Sequence, residues 1–299
     1  MKRFAFVFSL GFVLVLGVFA QEGDEVAWVL LEQGHLEFSR REYGRALEYY
    51  KSAVNKGGFL PEAELAIGDV FWESGEPELA ELQYRKAYDL RDSFYVPAER
   101  YTVYYRLAFL YESLGNYKQM EDTLLEMLAD DAYYASAEYS RFADVVSENY
   151  LLDGLDQVLV LYRLSESFSV EAQAMLGWLY YRTGRYMAAV QQSLFGIVPV
   201  VSEAIGELRR YDPDYVYADL SEFFDLAFFR ADIERYLLES EIFARLYYLA
   251  AASFAAGYPE RALSVWNHIA DSAHAGRYAD LSQKQAMAPW VEPLLSISE

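Results

Sequence analysis

The sequence predicts an all-α chain assembled from repeated units, and two observations carry that prediction. Small residues recur at a fixed offset, and the residues that interrupt helices are scarce. Gly34, Ala46, Tyr50 and Ala53 find counterparts thirty-four places on, at Gly68, Ala80, Tyr84 and Ala87. Across 299 residues there are 8 prolines and 17 glycines, which suits long helices better than many tight turns. A composition that is 54% hydrophobic and 17% aromatic supplies ample core and excludes a disordered chain.

Residues 1–20 read as a secretory signal. Lys2 and Arg3 form a short basic region, and Phe4 to Ala20 carries no charge. Val18-Phe19-Ala20 then offers small residues before a polar start. Cleavage is expected after Ala20; the alternative is an uncleaved N-terminal helix that anchors the chain in a membrane. No other stretch is expected to be long and apolar enough to cross one. With 0 cysteines, a lipoprotein anchor, disulfides and thiolate metal sites are excluded. The expected location is the bacterial periplasm, with stability supplied by packing alone.

The spacing continues along the chain. Gly177, Ala189 and Gly196 repeat it, as do Ala250, Ala262 and Ile269, and Ala108, Met120 and Met127 form a weaker copy. These residues place units at 27–60, 61–94, 101–134, 170–203 and 243–276. Residues 136–169 are expected to form a degenerate sixth repeat of two helices, with Val158 and Tyr162 at matching places and "LLDGLD" as its turn. Residues 204–242 leave the frame. Pro213 disfavours helical geometry in Asp212, so an insertion of irregular chain and helix is expected there. Residues 277–299 are expected to cap the array with a helix pair broken by Pro289 and Pro293, because its last apolar face needs cover.

This pattern resembles the tetratricopeptide repeat family. Its 34-residue helix–turn–helix unit carries a small residue at the eighth position and alanine at the twentieth and twenty-seventh. The large residue of the twenty-fourth position is Tyr50, Tyr84, Leu124 and Trp266, with Ser193 as a departure. The resemblance implies a tetratricopeptide-type α-solenoid of antiparallel helix pairs. Position eight is expected to meet position twenty, so that Gly177 touches Ala189, with aromatics filling the wedge between units. Gly75, Gly115, Gly184 and Gly257 fall in the turn, where a left-handed residue ends the first helix.

In that family the first helices line a concave face through positions two, five, nine, twelve and thirteen. The matching residues are His35, Phe38 and Ser39, then Asp69, Trp72 and Glu73. Units three and four supply Tyr105, Phe109 and Glu112, then Trp178, Tyr181 and Arg182; unit five supplies Tyr247 and Phe254. Rigid rings anchor a bound segment at low entropic cost, and the acids favour a cationic or neutral ligand. The alternative is that several of these rings pack against neighbouring helices. Chaperone-binding members clamp a terminal carboxylate with basic and amide side chains. Here Leu31, His35, Leu65, Asp69 and Glu73 stand at those places, so that function is not carried over.

Catalytic patterns are missing. His35, His268 and His274 form no His-Glu-x-x-His motif, and there is no Gly-x-Ser-x-Gly, Walker loop or Gly-x-Gly-x-x-Gly. No catalytic, metal or cofactor residue is assigned. A net charge of −21 repels phosphate backbones and argues against nucleic acid. The favoured reading is a non-enzymatic scaffold that holds a peptide or helix segment of another envelope protein. A small-molecule binder associated with an envelope transporter, or a non-catalytic partner of a cell-wall enzyme, is the alternative. N-terminal sequencing of the native protein tests the exported reading. A chain starting at Gln21 is expected; a retained Met1 in the membrane pellet would favour the anchor.

Overall fold

The computed structural model describes residues 26–58 and 60–296. The expected signal at 1–20 and its cleavage site lie outside the described residues. Among those described, the chain holds fifteen α-helices and no strand. Unit one comprises α1 (Ala27–Ser39) and α2 (Tyr43–Gly57), unit two α3 (Pro61–Glu73) and α4 (Pro77–Asp89), and unit three α5 (Arg100–Ser113) and α6 (Tyr117–Ala129). Next come α7 (Ala137–Asp153) and the two-turn α8 (Leu155–Leu161). Unit four comprises α9 (Ser169–Arg182) and α10 (Tyr186–Tyr211), followed by two short helices, α11 (Leu220–Ala227) and α12 (Ala231–Glu239). Unit five comprises α13 (Ile242–Ala255) and α14 (Pro259–Asp271), and α15 (Arg277–Met287) follows it. Pro61, Pro77 and Pro259 open their helices at the first turn, where a missing N–H leaves no helical bond unmade.

Each pair closes on small residues. Ala46, Ala53, Ala80, Ala87, Ala189, Ala250 and Ala262 are fully buried. The partner of the position-eight glycine, however, is position twenty-four and not position twenty. A Cβ on Gly34 would run into the Tyr50 ring, and one on Gly68 into the Tyr84 ring. On Gly177 it would lie 2.5 Å from Ser193 Oγ and 3.0 Å from the Ser193 backbone nitrogen. Gly177 therefore faces Ser193, not Ala189. The reason is geometric: the second helix runs back antiparallel from a turn near position sixteen, so eight lies level with twenty-four. The same reflection sets twenty-seven against five, and a Cβ on Gly196 would lie 3.0 Å from Ala174 Cα. Ser193 is small where the other units carry a large residue, so the α9 and α10 backbones approach one another directly.

Units three and four stack without an intervening repeat. α9 packs against α6, while α7 and α8 lie against α10. The two helices expected at 136–169 form a hairpin that packs on α10 and does not stand between units three and four. Its second helix, with 7 residues, is too short to present a full stacking face. α9 is held onto unit three by other means. The Tyr105 hydroxyl donates to the Phe168 carbonyl and accepts the Ala172 N–H at 3.1 Å. Arg185, in the α9–α10 turn, pairs with the nearly buried Glu121 of α6 at 2.9 Å.

The expected break at 204 also moves. α10 continues for 26 residues to Tyr211 and passes through Pro199 without ending. The irregular stretch begins at Asp212, and α11 and α12 both pack back onto α10. α10 is long and apolar enough to cross a membrane, contrary to the expectation that no stretch beyond the N-terminus would be. Most of its apolar window is buried inside the array, as befits a core helix.

The turns explain one departure in unit one. Gly75, Gly115, Gly184 and Gly257 have φ of 77°, 73°, 81° and 93°. At the equivalent place unit one carries Arg41 with φ 64°, a left-handed conformation that a side chain disfavours by about 1 kcal/mol or more. Arg41→Gly is therefore expected to stabilise the protein by up to about 1 kcal/mol. Gly177→Ala should cost about 1–3 kcal/mol by overpacking against a backbone. Chemical denaturation midpoints check both. Opposite signs would refute the frame.

Candidate functional site

The first helices α1, α3, α5, α9 and α13 share a face joined by polar contacts across units. In unit one, His35 is exposed and its Nδ1 meets the Tyr50 hydroxyl at 2.9 Å; Phe38 is half-buried against Tyr43. In unit two the buried Tyr84 hydroxyl donates to Asp69 at 2.7 Å. Arg106 of unit three grips the same carboxylate with two bonds, at 2.7 and 3.2 Å. Asp69 is thus neutralised and ties α3 to α5, so it adds no free negative charge for a ligand. Beside it Trp72 is 37% exposed and Glu73 is exposed. These two are the accessible residues of this part of the face.

Unit three is more enclosed. Tyr105, expected to line the groove, spends its hydroxyl on the chain entering α9. Phe109 lies half-buried beside it, ring centres 6.5 Å apart. Glu112 is half-buried, and its carboxyl is held above the ordinary carboxylate range, first by burial and then by the charges of Glu171 and Glu241. Those two residues lie in α9 and at the start of α13. Acidity on this face therefore concentrates where units three, four and five meet.

At units four and five the face is covered by the chain's own C-terminal segment. Among the described residues no second capping helix follows α15, contrary to expectation. Pro289 and Pro293 keep residues 288–296 non-helical, and the buried Gln285 amide holds the segment's start. Its Oε1 accepts the Trp290 N–H at 2.9 Å and its Nε2 donates to the Trp290 carbonyl at 3.2 Å. The Tyr181 hydroxyl accepts the Glu292 N–H at 3.0 Å. Arg182 donates to the Pro293 carbonyl at 3.2 Å and pairs with Glu292 at 3.3 Å, while the Leu295 N–H bonds the Arg182 carbonyl at 2.7 Å. Tyr181 is consequently 1% exposed, so it is a support beneath this segment and not an open groove residue. Trp178 stays half-buried, between the Tyr117 ring at 6.1 Å and the Arg182 guanidinium at 5.9 Å. Tyr247 is buried and Phe254 half-buried.

A serine–histidine–aspartate cluster lies elsewhere, which no sequence motif announced. Ser221 Oγ is 2.8 Å from His268 Nδ1, and Asp156 Oδ2 is 3.8 Å from Nε2. The second distance is beyond hydrogen-bond reach. Asp156 Oδ1 instead accepts from the Tyr217 hydroxyl at 2.7 Å and the Leu220 N–H at 3.0 Å. The cluster fastens α11 to α8 and α14. Without a carboxylate hydrogen-bonded to the imidazole, the serine and histidine lack the orienting third member of a catalytic triad. Among the described residues no group of three or more metal-ligating side chains gathers.

The raised Glu112 pKa carries a pH dependence. A carboxyl whose pKa rises on folding contributes stability that is fully present below its unfolded value near 4.5. That contribution is lost as pH climbs through the raised value. Glu112→Gln should therefore raise the melting temperature at pH 7, and the gain should shrink towards zero near pH 4. An equal gain at both pH values would show that charge is not its source.

With this geometry established, comparison with known proteins is informative. Residues 101–128 match the tetratricopeptide repeat family. They lie in α5 and α6, in the unit whose small positions hold Ala108, Met120 and Met127. The chain is 24% identical over 276 residues to an uncharacterized protein of Borreliella burgdorferi, covering 82% of this chain and 85% of the relative. It is 26% identical over 226 residues to an uncharacterized protein of Treponema pallidum, covering 74% of this chain but 59% of that relative's length. The protein is an all-α, solenoid-like array of helix pairs that carries a tetratricopeptide repeat.

Proposed function

We propose that this protein is an exported, non-enzymatic scaffold of the bacterial cell envelope whose first-helix face holds a non-helical segment of a partner protein. One observation carries the reading: the face already binds such a segment, residues 288–296 of the chain itself. Tyr181, Arg182 and Gln285 recognise it mainly through backbone N–H and carbonyl groups. Backbone recognition tolerates many sequences, which suits an adaptor. The tail fills the face at units four and five. Units one to three leave Trp72, Glu73 and His35 open, and these residues take the partner. Arg106, Arg182 and Arg245 are paired with Asp69, Glu292 and Glu171, so the open part of the face favours a neutral or basic segment. Export rests on the basic pair, apolar run and small residues of 1–20.

A photo-crosslinking residue at Trp72, compared with one at the exposed Leu82 of α4, tests this in the native envelope. Both positions are on the surface, where substitutions usually change stability by less than about 0.5 kcal/mol. A discrete adduct is expected from position 72 and not from 82. Deleting residues 289–299 should add position 178 as a second adduct site. Identical adducts from 72 and 82, or none from either, would refute the groove.

A further inference from the structure

An aromatic cleft separate from the groove opens where the chain leaves unit three, and we propose that it binds one pyranose ring of a neutral saccharide. The cleft lies between the 131–136 turn, the start of α7, the chain entering α9 and the middle of α10, and measures about 160 Å³. A cavity of roughly 150 Å³ holds a benzene-sized ring, so there is space for one six-membered ring. Tyr133, Tyr134 and Tyr139 form one wall, meeting edge to face with centres 5.5, 5.4 and 4.9 Å apart. Phe142 and Phe195, 5.8 Å apart, continue this wall through the Tyr139–Phe195 contact at 5.4 Å. Such rings offer flat apolar surface to the C–H face of a sugar.

The polar side of the cleft is as specific. Ser169 Oγ donates to the Tyr134 hydroxyl at 2.6 Å, and Ser167 Oγ lies 2.9 Å from that hydroxyl and 2.8 Å from Ser169 Oγ. Three linked hydroxyls can donate or accept as a ligand requires. Behind them sits Gln173, 1% exposed, its Nε2 3.4 Å from Ser169 Oγ and its Oε1 without a partner. Turning the amide over exchanges an orphan acceptor for an orphan donor, so one buried polar group stays unmatched in either orientation. A buried unmatched group costs stability, and a ligand hydroxyl, donor and acceptor at once, would satisfy it. Pro199, also lining the cleft, has no N–H to offer the Phe195 carbonyl one turn earlier.

Charge narrows the ligand further. In a chain of net charge −21, no Asp, Glu, Lys or Arg lines the cleft. A charged ligand would lose hydration without gaining a counter-ion. An aromatic side chain from a partner would fill the space but leave the Gln173 Oε1 without a partner. A neutral ring carrying several hydroxyls matches both sides.

The test is calorimetric and ligand-observed NMR titration of the folded chain with methyl β-glucoside, methyl β-galactoside and N-acetylglucosamine. N-acetyl-tryptophanamide serves as the aromatic rival. Saturable binding of at least one sugar, one per chain, is expected. Tyr134→Phe and Gln173→Leu should each weaken it by about tenfold, the loss of roughly one hydrogen bond. Gln173→Leu should leave the melting temperature unchanged or higher, since it removes an unmatched group. Tyr134 is half-exposed, so its variant keeps the test valid even if the Gln173 variant folds poorly. The proposal is overturned if no sugar binds saturably at tens of millimolar, if both variants bind normally, or if the tryptophan amide alone binds. These outcomes are independent of whether the first-helix face holds a partner.

Discussion

The close approach of two helices at one level of each unit is the constraint on which the rest of the structure depends. In units one and two the missing Cβ of Gly34 or Gly68 leaves room for a tyrosine ring from the second helix. That ring is buried, and its hydroxyl emerges on the first-helix face to meet His35 or Asp69. One packing decision therefore fixes the pair and places a polar group on the functional surface. In unit two it goes further, because Asp69 so held becomes the anchor for Arg106 and joins unit two to unit three. Dispersion and area burial supply the energy, but the small residue decides where that energy can be realised. Unit four solves the same problem differently. With Ser193 at the large position there is no ring to hold the helices apart, and two glycines let the backbones meet.

The tight fourth pair has consequences along the chain. α10 extends well past the length of a repeat helix, and α7, α8, α11 and α12 all use it as a platform. Stacking of the repeats passes from α6 to α9 and from α10 to α13, while the extra helices pack on α10 and also reach unit five, where Tyr150 of α7 meets Ser253 at 2.8 Å. Arg245 of α13 spans both helices of unit four, bonding the Gly196 carbonyl at 2.7 Å and pairing with Glu171 of α9. The aromatic cleft lies where the accessory hairpin, α9 and α10 converge, and the proposed partner-binding face lies along the first helices. A single long helix thus permits two surfaces of different chemistry.

The period of this fold could be read from residues, and its pairing level could not. Ala46 and Ala80 show the offset plainly, and each is buried as its unit requires. That Gly177 meets Ser193 follows only once the turn position is known, because an antiparallel pair reflects about its turn. The repeat frame itself misled at 203: the run through Pro199 to Tyr211 is helical because its apolar residues find cover on both sides. Tyr181 illustrates the limit for the face. Its position matches an open groove residue, yet a segment more than a hundred residues later lies over it. Pro289 and Pro293 signalled only a broken helix. Nothing local in the sequence tied that segment to Arg182, and the pairing of Asp69 with Arg106 was hidden in the same way. The aromatic cleft drew on Tyr133, Tyr134, Tyr139, Phe142 and Phe195, none of them at a signature position of a repeat, and so escaped a reading organised by those positions.

The most direct test of the glycine–tyrosine interlock is a double-mutant cycle at Gly68 and Tyr84, read as unfolding free energies in denaturant. Gly68→Ala alone should destabilise by overpacking, and Tyr84→Leu alone by lost burial and the lost bond to Asp69. Together they recreate the alanine–leucine combination that unit three carries at Ala108 and Leu124. The interlock predicts that the double variant is more stable than the two single losses would sum to, by about 1 kcal/mol or more. Strict additivity would show that the glycine and the ring act independently, and would contradict the account.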